Sequence, residues 1–233
     1  MDDTPDPLEV LVDIGETERI DAESRFIAAE ANVAIKALMS GRQAMADGDV
    51  LAGWMYVRLL AETAIRIRWL AGPAADTPDK DGAPSIDKSA TIERIAGLRK
   101  RDYGLMRDAW RAVHNIRIDT GQEDTGSDLG DRLQALIDSI PENGAPNGIR
   151  QLAESTGRIG RQLYAEFRNS SSIIHPGSAL GRVPIDAGNQ ASQLELASIV
   201  CAGYAAPIYN ALEEQTGSST SASTADEMRS PTG

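Results

Sequence analysis

The sequence is poor in the residues that carry most enzyme chemistry. It has one cysteine, Cys201, and two histidines, His114 and His175, in 233 residues. A lone cysteine forms no internal disulfide, which fits a reducing compartment, and we expect a cytoplasmic protein. Cys201 lies in the apolar run Ala197-Ser198-Ile199-Val200-Cys201-Ala202, a place for a small buried side chain rather than a nucleophile. Zinc clusters of Cys and His are excluded by the count, a carboxylate-only metal site has nothing pointing to it, and no cofactor is expected. Aromatics are 4% of the chain, so platforms for stacking single-stranded nucleic acid are scarce. No apolar run reaches the ~20 residues of a membrane span, and the acidic opening is unlike a secretory leader. There is no Gly-x4-Gly-Lys phosphate loop, no dinucleotide fingerprint and no setting for a catalytic triad.

What is present is ordinary globular material, 41% apolar and 25% charged, in a length that suits one domain or a tight pair. The net charge of −12 argues against a nucleic-acid coat, but its distribution is uneven. Residues 1–30 hold ten acids and two arginines, whereas Arg94 to Arg117 holds six arginines and one lysine against two aspartates. The basic stretch reads either as a solvated helix face or as a local surface for an anionic ligand, screened by the acidic arm. Arginine outnumbers lysine nineteen to four, a bias we read as that of a GC-rich bacterial genome, and it makes short arginine motifs easy to meet by chance.

Helical periodicity dominates and no segment alternates as a strand would, so the expected fold is all-α. Helices are expected over residues 17–45, 49–71, 87–117 (with a break near 100–104), 128–140, 147–174 and 189–214. Asp47-Gly48-Asp49 and Gly72-Pro73 are stop signals, and Pro207 is expected to kink or divide the last helix. Residues 1–16 read as a disordered acidic arm, 17–214 as a single bundle of five to seven helices, and 215–233 as a disordered Ser/Thr/Gly-rich tail. The second helix, with Trp54, Met55, Val57, Leu59, Leu60, Ile65, Ile67, Trp69 and Leu70, is apolar on nearly every side and is expected to be central, covered all round.

Against that apolar background Arg58, Glu62 and Arg66 recur every four residues on one stripe. Charges on a buried helix need partners, so the stripe is either an ion-pair network inside the bundle or one wall of a polar groove. The long helix over 147–174 carries an apolar stripe of Ile149, Leu152, Ile159, Leu163, Phe167 and Ile174. Beside it runs a polar one of Glu154, Arg161, Arg168, Ser171 and His175. Pro176 puts His175 at or beyond the last turn, where the helix dipole favours an imidazolium as proton donor, anion contact or carbonyl cap.

The run Arg58-Leu59-Leu60-Ala61-Glu62-Thr63, continuing to Arg68-Trp69-Leu70, resembles the signature helix of a bacterial all-helical family of unknown function. Phe167-Arg168-Asn169-Ser170-Ser171-Ser172-Ile173-Ile174-His175-Pro176 is similar to that family's later aromatic-x3-Ser-x3-His-Pro motif, with Phe167 where a tyrosine is usual. The two motifs cover about 25 residues, in matching order and separation. The resemblance implies a bundle in which Arg58, Glu62, Ser171 and His175 come together, and it implies no reaction.

More loosely, Arg168-Asn169 followed by His175 is similar to the Arg-x4–6-His motif of the HEPN superfamily. These are often dimeric helical bundles of toxin–antitoxin and phage-defence systems, many of them metal-independent ribonucleases. That likeness implies Arg168 stabilising charge on a phosphate, His175 exchanging the proton of an attacking 2′-hydroxyl, and a homodimer placing two motifs across one cleft. Arg107-Asp108 followed by His114 has the same spacing, so the motif alone is unspecific; His114, beside Trp110 and Arg111, reads as surface or rim.

Two functions stand. One is a binding or assembly module of a bacterial defence or stress system, with a polar pocket of Arg58, Glu62, Arg66, Ser171 and His175, its acidic arm contacting a protein partner. The other is a metal-independent ribonuclease using Arg168 and His175, with RNA as its partner.

Overall fold

A computed structural model describes residues 6–16, 21–77, 82–119, 127–141, 146, 148–174 and 187–213. The chain is all-α. Eight α-helices are present among the described residues: α1 Pro7–Glu16, α2 Ala22–Ala46, α3 Val50–Ala71, α4 Lys88–Asp119, α5 Ser127–Ser139, α6 Ile149–Ser155, α7 Gly157–Ile174 and α8 Ala187–Glu213. A 3-10 turn at Pro73–Asp76 follows α3. The expected tail over 215–233 lies outside the described residues.

The boundaries have local causes. Asp21 caps α2 by accepting the Ser24 N–H at 2.6 Å, and Asp49 caps α3 by accepting that of Ala52 at 3.0 Å. Between them Gly48, at φ 73°, turns the chain through Asp47–Asp49, so α2 and α3 form an antiparallel hairpin. Gly72 then ends α3 ahead of Pro73.

The structure departs from several expectations. Pro7–Glu16, read as disordered, is a helix, because Leu11 and Ile14 share an apolar edge that is buried, and α1 packs on α2 and α8. The long helix over 147–174 is two helices: Thr156 caps α6 and Gly157 adopts φ 70°, which ends one helix and starts the next. These two changes raise the helix count above seven. In contrast, α4 runs unbroken through residues 100–104, and of the two outcomes expected at Pro207, a kink or a division, the division is excluded because α8 continues through it. The chain divides into two compact units, Met1–Lys88 with Gly148–Gly233, and Ser89–Asn147.

In the first unit α3 packs against α2, α6, α7 and α8. Trp54, Val57, Leu60, Ile65, Ile67 and Leu70 are buried along it, each such side chain stabilising the fold by about 1.5–3 kcal/mol. Its neighbours approach closely because they present alanines: Ala31, Ala34 and Ala37 on α2, Ala197 and Ala205 on α8. Yet α3 is not covered all round. Leu51, Met55 and Leu59 are 51%, 53% and 42% exposed, leaving an open apolar strip down one side. In the second unit Ile95 and Leu98 are buried on α4, while Trp110 lies against Gly130 of α5 and Arg107 donates to Gln134 at 2.7 Å.

Candidate functional site

The Arg58–Glu62–Arg66 stripe does not act as one network. Each member meets a different environment because α3 has a different neighbour on each flank. Arg66 turns to α2, where the hairpin register sets Glu30 opposite it. The guanidinium holds both carboxylate oxygens, at 2.6 Å from Nη2 and at 3.0 and 3.2 Å from Nε. Both side chains are largely buried, at 13% and 11% exposure, and the Phe26 ring lies 6.0 Å from the guanidinium carbon. This is a structural ion pair of the kind whose loss of one partner leaves a buried charge uncompensated. Glu30 was legible as the one acid among the buried alanines of α2, but its pairing with Arg66 depends on the hairpin.

Arg58 turns the other way, to α7. Its Nε donates to Ser171 Oγ at 3.0 Å, and its guanidinium carbon stands 5.1 Å from the centre of the Phe167 ring. Ser171 in turn donates its hydroxyl proton to the Phe167 carbonyl at 2.6 Å. Tyr164 stacks on Phe167 at 6.0 Å, continuing the platform along α7. The serine hydroxyl is therefore spent twice, as acceptor from Arg58 and as donor to the helix, and its role is to orient the arginine. The Nη groups of Arg58 have no partner among the described residues, so four N–H donors remain on a guanidinium held on one edge and one face.

Glu62, one turn along α3 and half-buried, makes no hydrogen bond or ion pair among the described residues. An Arg-to-Glu pair at this spacing is the weaker helical orientation, and Arg58 is engaged instead with Ser171 and Phe167. Arg168 is exposed on α7 and likewise without a partner among the described residues. His175 lies outside the described residues, so of the Arg168–His175 pair only the arginine is placed. The polar stripe assigned to the long helix is divided, because Glu154 belongs to α6, where it accepts from Arg150 at 2.7 Å.

The rival motif is engaged in structural contacts. Arg107 donates to Asp108 and Gln134, and His114 stacks on Trp110 with ring centres 4.7 Å apart. One buried arginine was missed as a participant in packing. Arg68, 1% exposed, donates to the Gly72 carbonyl at 2.9 Å, pairs with Asp76 and lies 4.8 Å from the Tyr204 ring. It fastens the end of α3 to the 3-10 turn and to α8. Cys201 is fully buried, and burial, reinforced by the nearby Glu30 charge, pushes its thiol far above the ordinary range, which suits packing and not nucleophilic attack.

Among the described residues no group of three Cys, His, Asp or Glu is placed to hold a metal, and no helix is long and apolar enough to cross a membrane. The chain matches no protein-family model, no curated protein and no solved structure. The site's reading therefore rests on its own geometry.

Proposed function

We propose that this chain is a binding or assembly module, of the uncharacterised bacterial helical family it resembles, whose recognition face is the α3–α7 surface around Arg58. One observation carries this reading. A guanidinium oriented by Ser171 and Phe167 but left with an unused Nη edge is pre-organised to receive a carboxylate or phosphate oxygen pair. The open apolar strip of Leu51, Met55 and Leu59 runs along the same helix and adds the hydrophobic half of a recognition surface. A bacterial defence or stress setting belongs to the same proposal and rests on the HEPN-like analogy alone.

The ribonuclease alternative keeps one supporting observation, the exposure of Arg168, which leaves it open to a phosphate. RNA cleavage in EDTA by the purified protein and by a folded His175→Ala variant separates the two. The module reading expects no cleavage by either on several RNAs. Cleavage by the parent protein that disappears in the variant would replace it with the nuclease.

A further inference from the structure

On α3 two charges without an ion-pair partner among the described residues have opposite sign and lie four residues apart. Arg58 keeps its Nη edge unused because its Nε and its face are committed to α7, and Glu62 is half-buried one turn away. The two do not pair with each other within the chain, while Arg58 Nε stays on Ser171. A surface with this pattern is complementary to itself. If a second α3 crosses the first antiparallel, about a two-fold axis near Leu60, residue numbers facing one another sum to about twice the axis position. Arg58 then meets the partner's Glu62, and Glu62 meets the partner's Arg58. Leu59, 42% exposed, falls beside the axis, with Met55, 53% exposed, next along the strip. Isologous contacts of this kind make every good interaction twice.

We propose that the occupant of the α3 face is a second copy of this chain, docked antiparallel through α3, with the site around Arg58 completed by the partner's Glu62. The proposal rests on the reading of the α3–α7 surface as a recognition face and names its partner. Other occupants leave something unmatched. A phosphate or an isolated carboxylate would satisfy Arg58 but leave Glu62 bare beside it and the apolar strip uncovered. A polyanion would meet the Glu62 charge and the −12 net charge of the chain. A second copy covers Leu59 and Met55 near the axis and pairs both charges.

The same geometry limits the strength of the contact. One helix and a few flanking side chains bury less than the ~1,600 Å² of a standard interface, so the dimer is expected at the weak end, with a Kd on the order of micromolar to tens of micromolar.

Sedimentation equilibrium over a range of protein concentrations tests this, using the full chain and two charge reversals, Arg58→Glu and Glu62→Arg. The parent protein is expected to pass from monomer to dimer with concentration. Each variant alone faces like charges twice across the axis and is expected to weaken dimerisation more than tenfold. In an equal mixture, the Arg58→Glu chain carries only acids at these two positions and the Glu62→Arg chain only bases. Opposite charges then face one another across the axis, and association is expected to return. Met55→Asp, which leaves both charges in place, is expected to give monomer as well, and circular dichroism checks that each variant is folded. A parent protein that stays monomeric at high concentration overturns the proposal. So does a dimer that Glu62→Arg and Met55→Asp leave intact, because that places the interface elsewhere. Neither result touches the module reading, which stands or falls on the RNA cleavage assay.

Discussion

At the scale of single residues, Glu166 on α7 is held at a cost. One of its carboxylate oxygens is buried without a hydrogen-bond partner among the described residues, and burial raises its pKa above the ordinary 4.5. An acid whose folded-state pKa lies above its unfolded value destabilises the fold when ionised. The cost is fully present above the folded pKa and disappears as pH falls through that value towards 4.5. Glu166→Gln removes the charge while keeping the shape. We expect the variant to unfold at higher urea than the parent at pH 7, with the two midpoints converging near pH 4. Equal midpoints at pH 7 would show that water reaches the carboxylate and that its burial costs nothing. The spacing of residues could not single out Glu166. It sits between Leu163 and Ser170 on the buried side of α7, but α7 carries polar residues on several sides, and only packing decides which of them lose water. The contact between Arg58 and Ser171 was equally beyond periodicity. The two residues are 113 apart in sequence, and helical spacing says which residues share a face, never which face meets which. Their approach was implied by resemblance alone.

At the scale of elements, helix ends with strong chemistry were legible and those masked by a continuing apolar pattern were not. Asp47-Gly48-Asp49 and Gly72-Pro73 stop helices by turn geometry that any reader of the sequence can weigh. The break between α6 and α7 hides because Leu152, Ile159 and Leu163 keep helical spacing straight through it. Two glycines mark it. Gly157 takes φ 70°, a conformation that costs an L-residue about 1–2 kcal/mol. Gly160 has no room for a side chain, since an added Cβ would come within 2.3 Å of the Ala153 carbonyl oxygen. Gly157→Ala is therefore expected to lower stability by about 1–2 kcal/mol in urea denaturation. Gly203, exposed in the interior of α8 with nothing within 4 Å of an added Cβ, is the contrasting case. Gly203→Ala is expected to raise stability by about 0.5–1 kcal/mol through helix propensity. If both substitutions move stability the same way, the backbone account of the α6–α7 junction fails. The junction bears on the site because it sets the angle at which α7 carries Phe167 and Ser171 to α3.

For the whole molecule, charge was a misleading guide and small apolar spacing a better one. The opening segment is acidic and contains Pro5 and Pro7, a composition that argues for disorder, yet Pro7 is well placed to start a helix and Leu8, Leu11 and Ile14 fall on one side of it. Two buried apolar residues, Leu11 and Ile14, are enough when a ready surface exists, and α2 and α8 provide it. The consequence is that the acidic character of Pro7–Glu16 is carried on a docked helix, with Glu9 exposed and Leu11 fully buried. Leu11→Ala is expected to cost about 2–4 kcal/mol by the usual loss of transfer energy plus cavity, whereas Glu9→Ala is expected to stay within about 0.5 kcal/mol of the parent. Urea denaturation followed by circular dichroism reads both. A free arm predicts no change from either substitution, so the difference between the two variants decides whether α1 belongs to the fold in solution. A docked α1 also constrains recognition. It fixes the exposed Glu9 to the surface of the first unit, where it adds to the repulsion between copies of a chain with net charge −12. Any association through α3 must therefore draw its specificity from the local pairing of Arg58 and Glu62 and from the apolar strip between them and Leu51.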